Sequence, residues 1–397
     1  MSDDSTKDFD PMFQVRDLDT GKVINISDLE KTVPGPHYSH HRSFSQGNRM
    51  TIPPYVQFST FLNQKRAPFF QNSRISDCHP VHKGNVWCCT VSPDGRYAAS
   101  GGEDGLVVLY QLSESICSVR KLYHGHTSDV VAIDISADNF ILSCSLDSTV
   151  RLWHPSEEKE LGVFQHEDAI TAIAFYPKDT SIFLASTLGS SVFIWNIRTN
   201  EVLRKISFVS PPTAATFSPN GIYVAIGCLN GFCFVYEMPD FRYVTQFIAG
   251  PRSKKQTSNE KVSSITFVGN DMFLVSTNDS RIRLYSIENF SVVRKYLGHS
   301  SKSSQIKVSV SSDMQLLMTP SEESSEVFIW PIDHAQYFKG GGLFSSFLKD
   351  RSKTSEGFKL GKKVTINSVA FTKKSSISKL SVLAGDNFGN VYLIESD

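Results

Sequence analysis

Between residues 125 and 165 the chain alternates short apolar runs with turn residues. The runs are VVAIDI (130–135), FILSCS (140–145), VRLW (150–153) and LGVFQ (161–165), parted by Asp, Asn, Ser and Pro. Runs of four to six residues rich in β-branched and aromatic side chains predict strands, because a helical stripe needs a longer window and a 3.6-residue period. Gly125-His126 opens this unit and Trp153 closes its third run.

The phrasing returns along the chain. An earlier unit holds VWCCTV (86–91), YAASGG (97–102), LVVLY (106–110) and a run near 118–123. Later units hold ITAIAF, IFLAST and SVFIW (170–195), TAATF, YVAIG and FCFVY (213–236), then VSSITFV, MFLVST and RIRLY (262–285). Two more follow, IKVSVS, LLMTP and VFIW (306–330), and TINSVAF, SVLAG and NVYLI (365–394). Ser92-Pro93-Asp94-Gly95 and Ser218-Pro219-Asn220-Gly221 supply turn chemistry between first and second runs. Seven such units predict an all-β, seven-bladed β-propeller. The last unit has only three runs, and an unpaired outer edge is a liability, so residues 75–80 are expected to supply its fourth strand and close the ring. The predicted blades span about 84–123, 125–165, 166–207, 211–249, 260–297, 298–361 and 362–397 plus 75–80, within a propeller domain of 67–397. Residues 1–66 read as a short irregular N-terminal extension and linker, with a small hairpin predicted from FQVRDL (13–18) and VINI (23–26) and a helical turn after Ser27.

Composition narrows the reading. The 40 basic and 40 acidic residues cancel, so no DNA partner is expected. No stretch is long and apolar enough to span a membrane, the amino end MSDDSTKDFD is not a signal peptide, and a cytoplasmic monomer is expected. Seven cysteines sit mostly inside apolar runs, which reads as buried thiols in a reducing compartment; no zinc spacing occurs, and no metal or cofactor is expected. Two insertions are basic. Residues 250–261 carry Arg252, Lys254 and Lys255. Residues 331–363 carry a triple glycine followed by Leu343, Phe344, Phe347, Leu348, Lys349, Arg351 and Lys353, with a fourth strand expected near 357–361. The apolar residues amid positive charge mark a candidate surface for a protein partner or an anionic membrane. Ser43 and Ser45, beside Arg42, are candidate phosphorylation sites.

His126, Ser143 and Asp147 have the residue types of a hydrolase triad. Pieces of the set recur at blade spacing, however: Asp104, His166 with Trp195, Asp279, and His299 with Trp330. An active site is normally unique, whereas a fold device repeats. The expected arrangement is a buried polar network, with imidazole between carboxylate and hydroxyl and the serine linked to the indole of Trp153. No enzyme is predicted. Blades four, five and seven lack the tryptophan and are expected to rest more on apolar packing, and blade six has Ser321-Glu322-Glu323-Ser324 in place of a turn aspartate.

Gly125-His126 with Val150-Arg151-Leu152-Trp153, and Gly298-His299 with Trp330, resemble the WD-repeat proteins. Residues 82–105, 125–154, 164–179 and 277–287, with the element Asp17-Leu18-Asp19-Thr20-Gly21-Lys22, resemble one subgroup: the family of WD repeat-containing protein 44, a Rab-GTPase-binding endosomal protein, and its plant and fungal relatives. The resemblance implies a non-catalytic protein–protein scaffold in vesicle trafficking, with a Rab-type small GTPase as partner and peripheral placement on endosomal or other internal membranes. In the animal member the GTPase-binding and membrane-contact segments precede the propeller, and here that region is short. Two other classes remain. Substrate receptors of cullin-type ubiquitin ligases carry Trp-Asp-x-Arg, which Trp195-Asn196-Ile197-Arg198 resembles without the aspartate. An RNA-associated WD-repeat factor is favoured only by the basic insertions.

Overall fold

A computed structural model describes residues 14–16, 23–25, 57–60, 74–113, 117–250, 260–322, 326–332, 356–360, 364–373, 375 and 381–396. Every regular element among them is a strand. The chain forms two compact units, Met1–Thr51 and Ile52–Asp397. In the first, Gln14–Arg16 pairs antiparallel with Val23–Asn25, placing Val15 opposite Ile24.

The second unit is a seven-bladed propeller. Blade two sets the pattern: Val130–Ile135, Ile141–Ser145, Thr149–Trp153 and Gly162–Gln165 pair antiparallel in chain order. First strands of successive blades pack on one another and form the inner wall of the ring. Second and third strands lie between neighbouring blades and are buried on both faces, which explains why ILSCS is apolar or small throughout. Outer strands meet water instead; in Glu201–Ser207 only Ile206 is buried. The core lies between blades. Trp153 of blade two stacks on Tyr123 of blade one with ring centroids 5.0 Å apart, amid Leu109, Val130, Ile133 and Ile141.

The turn from second to third strand needs one residue with positive φ, which only small or turn-forming residues accept cheaply. Gly105, Ser148, Ser190, Gly231, Ser280 and Gly389 fill that place in blades one to five and seven, with φ from 58° to 88°. Closure occurs as the last unit requires. Asn390–Glu395 pairs with Arg74–Pro80, Val391 opposite His79 and Leu393 opposite Asp77, so the strand before blade one completes blade seven.

Blade six departs from expectation in three ways. Its first strand shrinks from the expected 306–311 to Ser309–Val310, because the Val308 amide donates instead to Ser264 Oγ of blade five at 3.1 Å. Its fourth strand is Glu356–Lys359, starting one residue and ending two residues earlier than expected. It also gains a fifth strand, Gln57–Thr60, with Ser59 opposite Gly357. A boundary at 66 would leave that strand outside the propeller, whereas its pairing makes it part of the sheet of blade six. Arg252, Lys254, Lys255, Leu343, Phe344, Phe347, Leu348, Lys349, Arg351, Lys353, Ser43, Ser45 and the turn after Ser27 lie outside the described residues.

Candidate functional site

The structure brings four side chains of blade two into one chain of hydrogen bonds. His126, in the loop before the first strand, has Nδ1 2.9 Å from Asp147 Oδ2 and Nε2 2.8 Å from Ser143 Oγ. Trp153, at the end of the third strand, donates from Nε1 to Ser143 Oγ at 2.8 Å. Asp147 also accepts from the Thr127 and Thr149 amides and from Thr149 Oγ1. Burial works against this carboxylate, but the bonds from His126, Thr149 and the Thr127 amide outweigh it and hold its pKa well below the usual range.

Blade one carries a second complete set. His82 Nδ1 lies 3.0 Å from Asp104 Oδ1 and Nε2 lies 2.7 Å from Ser100 Oγ, which bonds Tyr110 Oη at 2.9 Å. Only Asp104 stands out in the sequence, since tyrosine replaces tryptophan and no glycine precedes the histidine. A signal was nonetheless present. Chain separations for His to Asp, His to Ser and Ser to aromatic are 22, 18 and 10 residues here, against 21, 17 and 10 in blade two.

The other blades depart by degrees. In blade three, Trp195 Nε1 donates directly to His166 Nε2 at 3.0 Å, and His166 Nδ1 lies 3.1 Å from the Phe164 carbonyl. Burial pushes the His166 pKa down to about 4, so the ring is neutral and can accept from the indole. Asp279 of blade five does not join a histidine set. Arg283 forks onto it, Arg281 Nη1 reaches it at 2.8 Å, and Thr277 donates to it, so an ion pair replaces the imidazole. Blade seven has a network of its own, which corrects the expectation of mainly apolar packing. Buried Asp386 accepts from Tyr392 Oη, Asn390 Nδ2 and the Phe388 and Asn390 amides, each at 2.8 Å.

Blade six keeps the rings but not the bonds. His299 and Trp330 meet edge-on with centroids 5.9 Å apart, yet neither His299 nitrogen nor Trp330 Nε1 has a hydrogen-bond partner. Thr319, at the strand position of Ser143, turns its hydroxyl to the Pro320 carbonyl. Glu322 caps the Lys302, Ser303 and Ser304 amides rather than reaching the imidazole. Burial, against a weaker pull from Asp279, pushes the His299 pKa down to about 4.

Chemically, these sets hold rather than react. Ser143 is 0 % exposed and its oxygen is engaged by both imidazole and indole, so no substrate carbonyl can approach it. The cysteines are all free thiols. Burial raises Cys88 to about 11 and Cys89 to about 12, keeping them protonated. Among the described residues no group of His, Cys, Asp and Glu is placed to hold a metal ion, and no helix is long and apolar enough to cross a membrane.

The family model described as "WD domain, G-beta repeat" matches residues 74–111, 117–154 and 158–196, which run from the outer strand of blade seven to the third strand of blade three. The chain is a WD-repeat β-propeller. This propeller is 36 % identical to WD repeat-containing protein 44 of Xenopus laevis over 76 % of the chain and 39 % of that protein. It is 27 % identical to an uncharacterized WD repeat-containing protein of Schizosaccharomyces pombe, over 65 % of the chain and 50 % of that protein. It is 26 % identical to 2-deoxy-glucose resistant protein 2 of Saccharomyces cerevisiae, over 56 % of the chain and 28 % of that protein. The propeller thus spans half or less of the length of these relatives.

Proposed function

We propose that the protein is a non-catalytic scaffold in vesicle trafficking that binds a Rab-type small GTPase and rests peripherally on an internal membrane. The observation that carries the non-catalytic part is the repetition of the His–Ser–Asp set in blades one and two, with the serine sealed in each. A set present twice and closed to solvent serves the blades, and binding is left to the loops of a rigid ring. The likeness to WD repeat-containing protein 44 favours a trafficking GTPase as the partner class. Membrane contact is assigned to the insertion with Leu343, Phe344, Phe347 and Leu348 among lysines.

The reading is tested by capture of GTP- and GDP-loaded Rab proteins on the intact chain and on a chain lacking residues 1–51, a cut that spares the strand Gln57–Thr60. Saturable, nucleotide-dependent capture is expected. Equal capture of both nucleotide states, or none, contradicts it. A second reading, as a cullin-ligase substrate receptor, draws on one detail: Asn196 Oδ1 accepts from the Arg198 and Thr199 amides, the turn-capping task of an aspartate, and Arg198 is exposed. Loss of cullin-adaptor co-purification on Arg198→Ala is the result that reading requires.

A further inference from the structure

The turn between second and third strands makes the same backbone bond in every blade. The amides of Glu103, Leu146, Leu188, Leu229, Asn278, Glu322 and Asn387 each donate to a carbonyl in the loop leading into their own blade, at 2.9 to 3.0 Å. In blades one, five, six and seven the side chain at this place, Glu or Asn, is also hydrogen-bonded to a neighbouring loop: Glu103 accepts from the Asn85 amide, Asn278 donates to the Lys302 carbonyl, Glu322 accepts from the Lys302 and Ser303 amides, and Asn387 accepts from the Thr365 amide. A leucine at this place can make no such bond, so it gives up a polar contact that the other four blades use.

Blades two, three and four carry leucine in succession. Leu146 is 43 % and Leu188 38 % exposed, and Leu229 is half-buried. Leu188 and Leu229 are linked along one rim, and Leu146 holds the same place in the blade before them. Leu188 bonds Ala169 in the loop that leads to Thr171, Thr171 Oγ1 donates to the Pro212 carbonyl of the next blade, and Leu229 bonds Pro211. An apolar arc that the fold does not require marks an interface.

The surrounding charge says what kind of partner fits. Glu167 and Asp168 are exposed beside Leu188. Gly189 has no side chain because Asp168 lies over it, its Oδ2 1.8 Å from where a Cβ would sit. Asp129, whose carbonyl takes the Leu146 amide, adds a carboxylate bonded to Trp87. Across residues 124–129, 146–148, 166–169, 188–190, 208–211 and 229–231 no lysine or arginine occurs.

We propose that this leucine arc is a docking surface for a partner segment presenting apolar side chains flanked by Lys and Arg. It rests on the scaffold reading and deepens it by assigning the surface and the chemistry of its occupant. Leucines seat the apolar side chains, and the carboxylates steer and orient the basic flanks, so affinity falls as salt rises.

The test pans random displayed 12-residue peptides on the full chain and on a triple variant, Leu146→Asn, Leu188→Asn and Leu229→Asn. Asparagine is what blades five and seven already carry there, so the variant should keep its melting temperature. Enriched peptides combining apolar and basic residues, binding the variant at least tenfold more weakly, are expected. Enrichment of acidic or purely polar peptides, equal binding to the variant, or no enrichment overturns the proposal. Partner capture by both proteins separates the two claims. If the variant keeps every partner, this surface is removed and the scaffold reading stands. If neither protein captures a saturable partner, both fall.

Discussion

Trp153 and Trp330 close the third strands of their blades, but only Trp153 has a hydrogen-bond partner for its indole N–H. Replacing Trp153 by Phe breaks a bond in a fully satisfied buried network, whereas Trp330→Phe deletes an unsatisfied donor. Trp153→Phe should therefore destabilise by about 1–2 kcal/mol more than Trp330→Phe, read from urea unfolding midpoints. The titratable groups fix a pH dependence. His166 and His299 have folded pKa values near 4, below the unfolded value of 6.5, so the unfolded chain binds more protons between them. Their contribution is complete above 6.5 and is lost as pH falls towards 4. Asp104 and Asp147 have lowered folded pKa values and add a further loss once the pH drops below the unfolded carboxylate range. Thermal melts should show stability declining from about pH 6.5, with a shallower slope in His299→Gln. The blade-two set was legible in sequence because all four residue types sit together there. That of blade one was hidden by tyrosine in place of tryptophan and by Val81 in place of the glycine before the histidine. The bonds of Arg283 and of Tyr392 were not legible, since both stand at the strand position of Arg151, and in blade two that arginine bonds Glu160 rather than a turn carboxylate.

At the scale of strands, the seven repeats, their turns and the closure by residues 74–80 followed from periodicity. The strand Gln57–Thr60 could not, because nothing in the repeat pattern calls for a fifth strand. It pairs with the outer strand of the blade whose first strand is shortest and whose His and Trp are unbonded. Blade six therefore depends on it more than a regular blade would. Deleting residues 52–60 should speed amide hydrogen exchange in 356–359 and leave 141–153 of blade two unchanged. Unaltered exchange in 356–359 speaks against a holding role for this strand.

The propeller unit, Ile52–Asp397, is a ring in which polar networks that resemble catalytic ones are sealed between blades, while the exposed Leu146 and Leu188 lie on turns. Loss of one network is expected to strain a blade, and loss of the turn leucines to leave the ring intact while changing what it binds. The most direct measurement is capture of GTP-loaded Rab proteins by the intact chain and by Ser143→Ala, below both melting temperatures. The account predicts saturable capture with equal affinity for the two proteins, Ser143→Ala lowering only the melting temperature. Capture abolished by Ser143→Ala in a folded protein, or absent from the intact chain, contradicts it.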